Sequence, residues 1–323
     1  MNYRRKLIIA LGAAPSPLAR AQQPKLVYRV GYLTERAPEI EKRWLAAFVE
    51  GMAELGYIEG RNVVIEQRHA NLRVDKLPEL VAELVRMKVD VLVATGGTAV
   101  AAKKVTQTIP IVSLSQDPVA FGLAKSLARP GGNVTGVSDY HSAMGTKRLE
   151  MLKEIKPSAS RIAVFFNSDL PPNVNQLKDL RVAAKTLRLV LDPIDVKRRE
   201  DIVSALARFG NERIDALLLL PGPSVSSHMP QIAKAALDQR IPAIYTVALW
   251  AELGGLISYG TDFYAYYKRA ATYVDKILKG AKPSELPIEE PTRFELVVNA
   301  ATAKALGLEI PQTILVRADR VIK

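Results

Sequence analysis

Apolar residues along the chain fall into two rhythms. Short β-branched runs at 28–33, 62–67, 89–94 and 109–114 read as strands, and the segments between them, 41–55, 77–87 and 98–105, read as helices. In the first helical segment Trp44, Phe48, Met52 and Leu55 share one face, as in a helix buried on one side. Strand, helix and strand in this order predict parallel βαβ units, because a parallel crossover needs a connection of helix length. The pattern then returns. RIAVFFN at 161–167 matches the first strand, 175–187 the helix after it, and DALLLL at 215–220 mirrors DVLVA at 90–94. Ile109-Pro110-Ile111 recurs as Ile241-Pro242-Ala243-Ile244. Landmarks in one order, about 130 residues apart, predict two similar lobes; a solenoid repeat would be far shorter.

The lobes are expected at 26–138 and 139–261, linked near 136–142. In the tail, Asp262 is a helix N-cap, and Phe263, Tyr266, Tyr267, Ala270, Val274, Ile277 and Leu278 form an apolar stripe that Gly280 ends. This helix, 262–280, is expected to cross back to the N-terminal lobe. After a proline-marked linker (Pro283, Pro287, Pro291), a strand at 294–299, a helix at 300–306 and a strand at 313–317 follow, so that part of 291–323 completes the C-terminal lobe.

Residues 1–21 read as a secretory signal. Arg4, Arg5 and Lys6 precede the short apolar stretch 7–14, and Ala19-Arg20-Ala21 offers a small-x-small cleavage site, with cleavage expected after Ala21. The apolar stretch is far below the roughly 18–20 residues a membrane span needs. Sec and twin-arginine export both remain open. A soluble mature protein in the periplasm is the expectation.

Composition narrows the chemistry. The 323 residues include 48% hydrophobic and 24% charged positions, a globular balance. There is no cysteine, which excludes disulfides, thiolate metal sites, cysteine nucleophiles and a lipidated cysteine. The only histidines, His69, His141 and His228, are far apart, and no metal site or cofactor is expected. The formal charge of +12 includes Arg4, Arg5, Lys6 and Arg20 of the signal, and the other basic residues are interspersed with acids. Without a clustered basic stripe, a nucleic-acid partner is not expected.

Catalytic signatures are missing as well. Gly131 and Gly136 have P-loop spacing, but Val137 stands where a lysine is required. No G-x-G-x-x-G follows the first strand, and Ser224 lacks the second glycine of a nucleophile elbow. The informative positions are strand ends, where parallel α/β sheets bind ligands. Thr95-Gly96-Gly97-Thr98 opens a helix after the third strand: either a loop whose amides hold a ligand carboxylate, or a tight turn with a threonine cap. Gln116 and Asp117 follow the fourth strand; Asp117 either binds a ligand ammonium or caps the next helix. Asn167, Ser168, Pro221 and Ser224 occupy the corresponding ends in the second lobe, and Tyr32, Tyr140, Phe166 and Tyr245 supply aromatic surface for a cleft.

SLARPGGNVTGVS at 126–138 and LPIEEPTRFELVVNAATAKALGLEIPQTILVRADRVI at 286–322, together with AQQPKLVYRVGYL and Asp117-Pro118, resemble signature stretches of a bacterial ABC-transporter substrate-binding family of tryptophan/tyrosine type. The resemblance covers nearly all of the mature chain. It implies an α/β periplasmic binding protein, type I-like: two Rossmann-like lobes with parallel sheets, a hinge, and ligand in the cleft. It also implies a membrane permease and an ATPase as partners. The expected function is binding of a small molecule, an amino acid, aromatic in some relatives, or a related carboxylate, by a monomer that closes about its hinge without doing chemistry. Two alternatives stay open: an α/β enzyme acting on a small carboxylate, which would need an acid–base or nucleophile set, and a ligand-sensing module for a membrane receptor.

Overall fold

The computed structural model describes residues 27–139, 143–209 and 212–323; the expected signal peptide and Tyr140 lie outside the described residues. Five parallel strands form the first sheet: β1 (Tyr28–Thr34), β2 (Val63–His69), β3 (Val91–Thr95), β4 (Ile111–Ser115) and β5 (Val134–Ser138), in the order β2-β1-β3-β4-β5. Every residue of β3, β4 and β5 is buried, as expected of parallel strands covered on both faces.

The second sheet has seven strands: β6 (Arg161–Phe166), β7 (Val190–Asp195), β8 (Ala216–Leu219), β9 (Ala243–Tyr245), β10 (Ile257–Thr261), β11 (Phe294–Asn299) and β12 (Arg320–Ile322). Its order is β12-β11-β10-β9-β8-β6-β7. The stretch β7-β6-β8-β9-β10 reproduces the order of the first sheet, so the internal repeat in the sequence is a repeat of topology. Only the β10–β11 pairing is antiparallel.

The chain exchanges elements between the lobes. After β5 it leaves the first lobe at Asp139, and helix Ala143–Ile155 packs on the second sheet. After β10 it returns at Asp262, whose Oδ1 accepts from the Ala265 N–H and caps helix Phe263–Leu278. That helix lies against helix Pro38–Glu54 of the first lobe, where Trp44, Phe48 and Met52 meet Tyr266, Tyr267 and Val274 in one core. The apolar faces of both helices are thereby buried, which is the reason a segment so late in the chain belongs to the first lobe. Close approach depends on Gly51, where a Cβ would stand 2.8 Å from the Lys268 carbonyl oxygen. The chain crosses again before β11. Ser138 N–H donates to Glu289 O at 2.8 Å and Asp262 N–H to Arg293 O at 3.1 Å, which ties the crossings side by side.

Two expectations change. The link begins later than 136: Gly136 is inside β5, at φ +136, and a Cβ there would stand 2.2 Å from Ser113 O. Residues 313–317 are not a strand but lie in helix Gln312–Arg317. Ile314 is buried and Leu315 packs beside it against the core, while Val316 is 76% exposed; adjacent residues on one side fit a helix and not the alternation of a strand. The strand on the outer side of β11 is β12.

Candidate functional site

In sheets of this order, ligands lie outside the carboxyl ends of the strands, at the switch between the first and third. The two lobes turn these ends toward each other and enclose a cavity. Contacts already join the two lobes around it. Gln116 Nε2 donates to Pro221 O at 3.1 Å, Asn173 Nδ2 to Gln116 Oε1 at 3.4 Å, and Arg43 pairs with Glu252 at 2.6 Å. The lobes are closed on one another.

The Gly96–Gly97 turn does hold a carboxylate, and it is the chain's own. Glu35, directly after β1, accepts from the Gly97 N–H at 3.0 Å. Gly96 is at φ +56, and a Cβ there would stand 2.1 Å from Glu35 Oε1. Thr98 Oγ lies 2.7 Å from Thr95 O and 3.2 Å from Leu33 O, and Thr95 Oγ donates to Thr34 Oγ, so both buried hydroxyls are used inside the lobe.

Other candidates divide between wall and scaffold. Gln116 and Pro221 line the cavity. Asp117 caps the turn after it, accepting from the Val119 and Ala120 N–H groups. Asn167 and Ser168 are occupied at the rim: Asn167 Oδ1 accepts from Asp169 N–H, and Ser168 Oγ donates to Asp195. Ser224 Oγ donates to Lys197 O, and Ser226 lines the cavity instead. Tyr245 is core, 1% exposed among the side chains beneath the second sheet. Tyr32 stands behind the wall. Its hydroxyl donates to Glu41, Glu41 accepts from Arg36 at 3.1 Å, and Arg36 also donates to Tyr267 Oη at 2.9 Å. Arg36 is thus held rigid at the cavity by a buried chain of polar groups.

The residues that sequence reasoning missed carry the charge. Asp139 and Arg148 both line the cavity. Arg148 is 5% exposed; its Nε donates to Tyr259 O at 2.7 Å, while its Nη1 is buried without a partner. Among the described residues Asp139 Oδ1 is likewise buried and without a partner, as Arg148 Nη1 is. Buried polar atoms in native proteins are nearly always hydrogen-bonded, so an unpaired carboxylate oxygen and an unpaired guanidinium nitrogen in one cavity call for a ligand. Burial raises the Asp139 carboxyl to about 6, against the pull of Arg36 and Arg148. Burial also raises Glu35 to about 7, opposed by Arg36 and the Gly97 N–H, and lowers Arg148 to about 10. The remaining wall is aromatic. Trp44 stacks on Tyr267 at 6.0 Å and packs against Phe263 at 5.4 Å, with Tyr266 beside them and Trp250 contributed by the second lobe.

Comparison with known proteins sets this geometry in context. The family model described as ABC transporter substrate binding protein matches residues 42–322. A curated tyrosine-binding protein of Clostridioides difficile (strain R20291) is 28% identical over 264 residues, covering 81% of this chain and 76% of its own. Among solved structures, an ABC domain in complex with L-Trp from Streptococcus pneumonia has a TM-score of 0.85 at 24% identity, covering 92% of this chain and all (100%) of its own. The ligand-free, open structure of a substrate-binding protein with adhesive properties from Clostridium difficile has a TM-score of 0.68 at 26% identity, with the same 92% and 100% coverage. At nearly equal identity and coverage, the poorer fit to the open structure agrees with the closed lobes seen here.

Proposed function

We propose that this chain, which belongs to the ABC transporter substrate-binding protein family, holds an aromatic L-amino acid in the cavity between its lobes, with Asp139 accepting from the ligand ammonium and Arg148 donating to its carboxylate. The observation that carries the reading is the pair of orphaned buried atoms, Asp139 Oδ1 and Arg148 Nη1, in one cavity. A zwitterion satisfies both, and its charges offset those of the wall. The Gly97 N–H is taken by Glu35 and the Gly96 N–H by Leu114 O, so the ligand carboxylate goes to the guanidinium. The ring lies against the Trp44, Phe263 and Tyr267 cluster, where area burial and edge contacts favour an aromatic side chain. The relative named for tyrosine binding supports this choice. Proteins of this family bind small ligands outside the cytoplasm and work with an ABC permease. Export to the periplasm through residues 1–21, a monomeric state, and delivery to a permease with its ATPase complete the proposal. Release requires the crossings beside Asp139, Asp262 and Arg293 to act as the hinge.

Thermal denaturation with each L-amino acid tests the reading. A ligand at a hundredfold excess over Kd adds about 2.7 kcal/mol to the native state. Tyrosine, phenylalanine or tryptophan should raise Tm by several degrees, and mass spectrometry of the purified protein should find the same compound. No shift with any amino acid sinks the proposal. A second expectation separates the glycine turn from the ligand. Thr98→Val removes a buried hydroxyl that bonds within the lobe, so it costs about 1 kcal/mol of stability and leaves affinity unchanged. Calorimetric titration and a melting curve on one sample check it; a tenfold weaker Kd would return the carboxylate to that turn.

A further inference from the structure

Among the described residues, a third orphaned atom belongs to the same cavity. Trp250 lines it, is 5% exposed, and its indole Nε1–H is buried with no acceptor in the protein. A buried tryptophan N–H usually finds a partner, and this one gains nothing from its own fold.

Its place in the fold separates it from the charged pair. Asp139 and Arg148 are on the hinge side: Thr261 Oγ contacts Asp139 O at the crossing, and Arg148 is fixed to Tyr259 O of β10. Trp250 follows β9 in the short helix Ala248–Glu252. The Arg43–Glu252 ion pair links this helix to helix Pro38–Glu54, and the Arg43 guanidinium lies over the Trp44 ring. Trp44 and Trp250 line the same cavity as the charged pair, so in the proposed pose, with the head at Asp139 and Arg148, the side chain is directed toward these two rings.

We infer that Trp250 is a specificity-determining residue, whose N–H donates to an oxygen at the far end of the ligand ring, so that the site selects a hydroxylated aromatic amino acid. The inference rests on the proposed amino-acid function and adds to it the chemistry of the side chain. A phenyl ring has no acceptor there, and an indole N–H is only a donor, so phenylalanine and tryptophan both leave Trp250 unpaired. A phenol oxygen accepts. A site built around such a bond rejects ligands that lack it, because its own polar group stays buried and unpaired.

Calorimetric titration of the wild-type protein with L-tyrosine, L-phenylalanine and L-tryptophan tests this without any substitution. Tyrosine should bind at least about tenfold tighter than either of the others. In Trp250→Phe the preference of tyrosine over phenylalanine should shrink to within about threefold, chiefly through weaker tyrosine binding. Equal wild-type affinities for tyrosine and phenylalanine overturn the inference and leave the amino-acid function standing. So does a variant that weakens all three ligands by one factor, because Trp250 would then serve the common head group. If none of the three binds, the proposed function fails and this inference with it.

Discussion

Asp139→Asn should weaken binding of an aromatic L-amino acid by a hundredfold or more while making the empty protein more stable at pH 8. The two effects have one cause. Removing one partner of a buried charged pair costs about 2–5 kcal/mol, and in the complex that partner is the ligand ammonium. In the empty protein the charge is a burden, since burial lifts the carboxyl from 3.8 to about 6. Each unit of such a shift is about 1.4 kcal/mol, so a neutral amide of the same shape should add about 1–3 kcal/mol at pH 8. A merely structural aspartate would give a less stable protein with affinity intact. Calorimetric titration and urea denaturation of the variant distinguish the two outcomes, and Asp139→Ala repeats the affinity test without the amide.

Stability of the empty protein should fall between about pH 4 and pH 7.5, and ligand affinity should rise over much of the same range. Glu35 and Asp139 have ordinary values of 4.5 and 3.8, raised in the fold to about 7 and about 6. An acid whose pKa is raised on folding binds more protons in the native state. Its contribution is full below the unfolded value and is lost as pH climbs through the folded one. Together the two shifts amount to about 6 kcal/mol at most. Arg36 opposes both shifts and Arg148 that of Asp139, while Glu41 and Asp139 itself add to that of Glu35. A ligand ammonium favours the ionised form of Asp139, so binding near pH 5.5 should release up to about three-quarters of a proton, and affinity should climb toward pH 7. Titrations in two buffers of different ionisation enthalpy read that proton directly. Glu35→Gln should flatten the stability decline without abolishing proton release; release that vanishes in this variant and survives in Asp139→Asn would assign the titration to Glu35.

Much of the fold is written in local patterns. The apolar runs of β1, β3, β4, β6 and β8 are strong because parallel strands are buried on both faces, and the stripe from Phe263 to Leu278 has a cap and a glycine stop. β5 went unread because Gly136 at its centre and the polar Thr135 and Ser138 break its apolar run. Residues 313–317 misled because β-branched side chains favour strands only where a neighbour strand waits, and here β12 takes that place. The site was half legible. Strand ends led to Gln116, Pro221 and the glycine turn, but the same rule applied to β1 and β5 points to Glu35, Arg36 and Asp139. Arg148 gives no such signal: it is one basic residue within helix Ala143–Ile155, and only the crossing of that helix to the second lobe brings it to the cavity. Nor does Thr98 announce its direction, since a hydroxyl that caps its own turn and one that meets a ligand look alike in sequence.

The central claim is that both ends of a zwitterion are recognised, one by Asp139 and one by Arg148. Titration with L-tyrosine and with its two truncated forms, tyramine and 3-(4-hydroxyphenyl)propionate, tests it most directly. Each truncated form leaves one buried charge unpaired, so each should bind at least about a hundredfold more weakly than the amino acid, at about 1.4 kcal/mol per decade. If either binds as tightly as L-tyrosine, the charge it lacks is not read by this site, and the assignment of Asp139 or Arg148 to that charge is wrong.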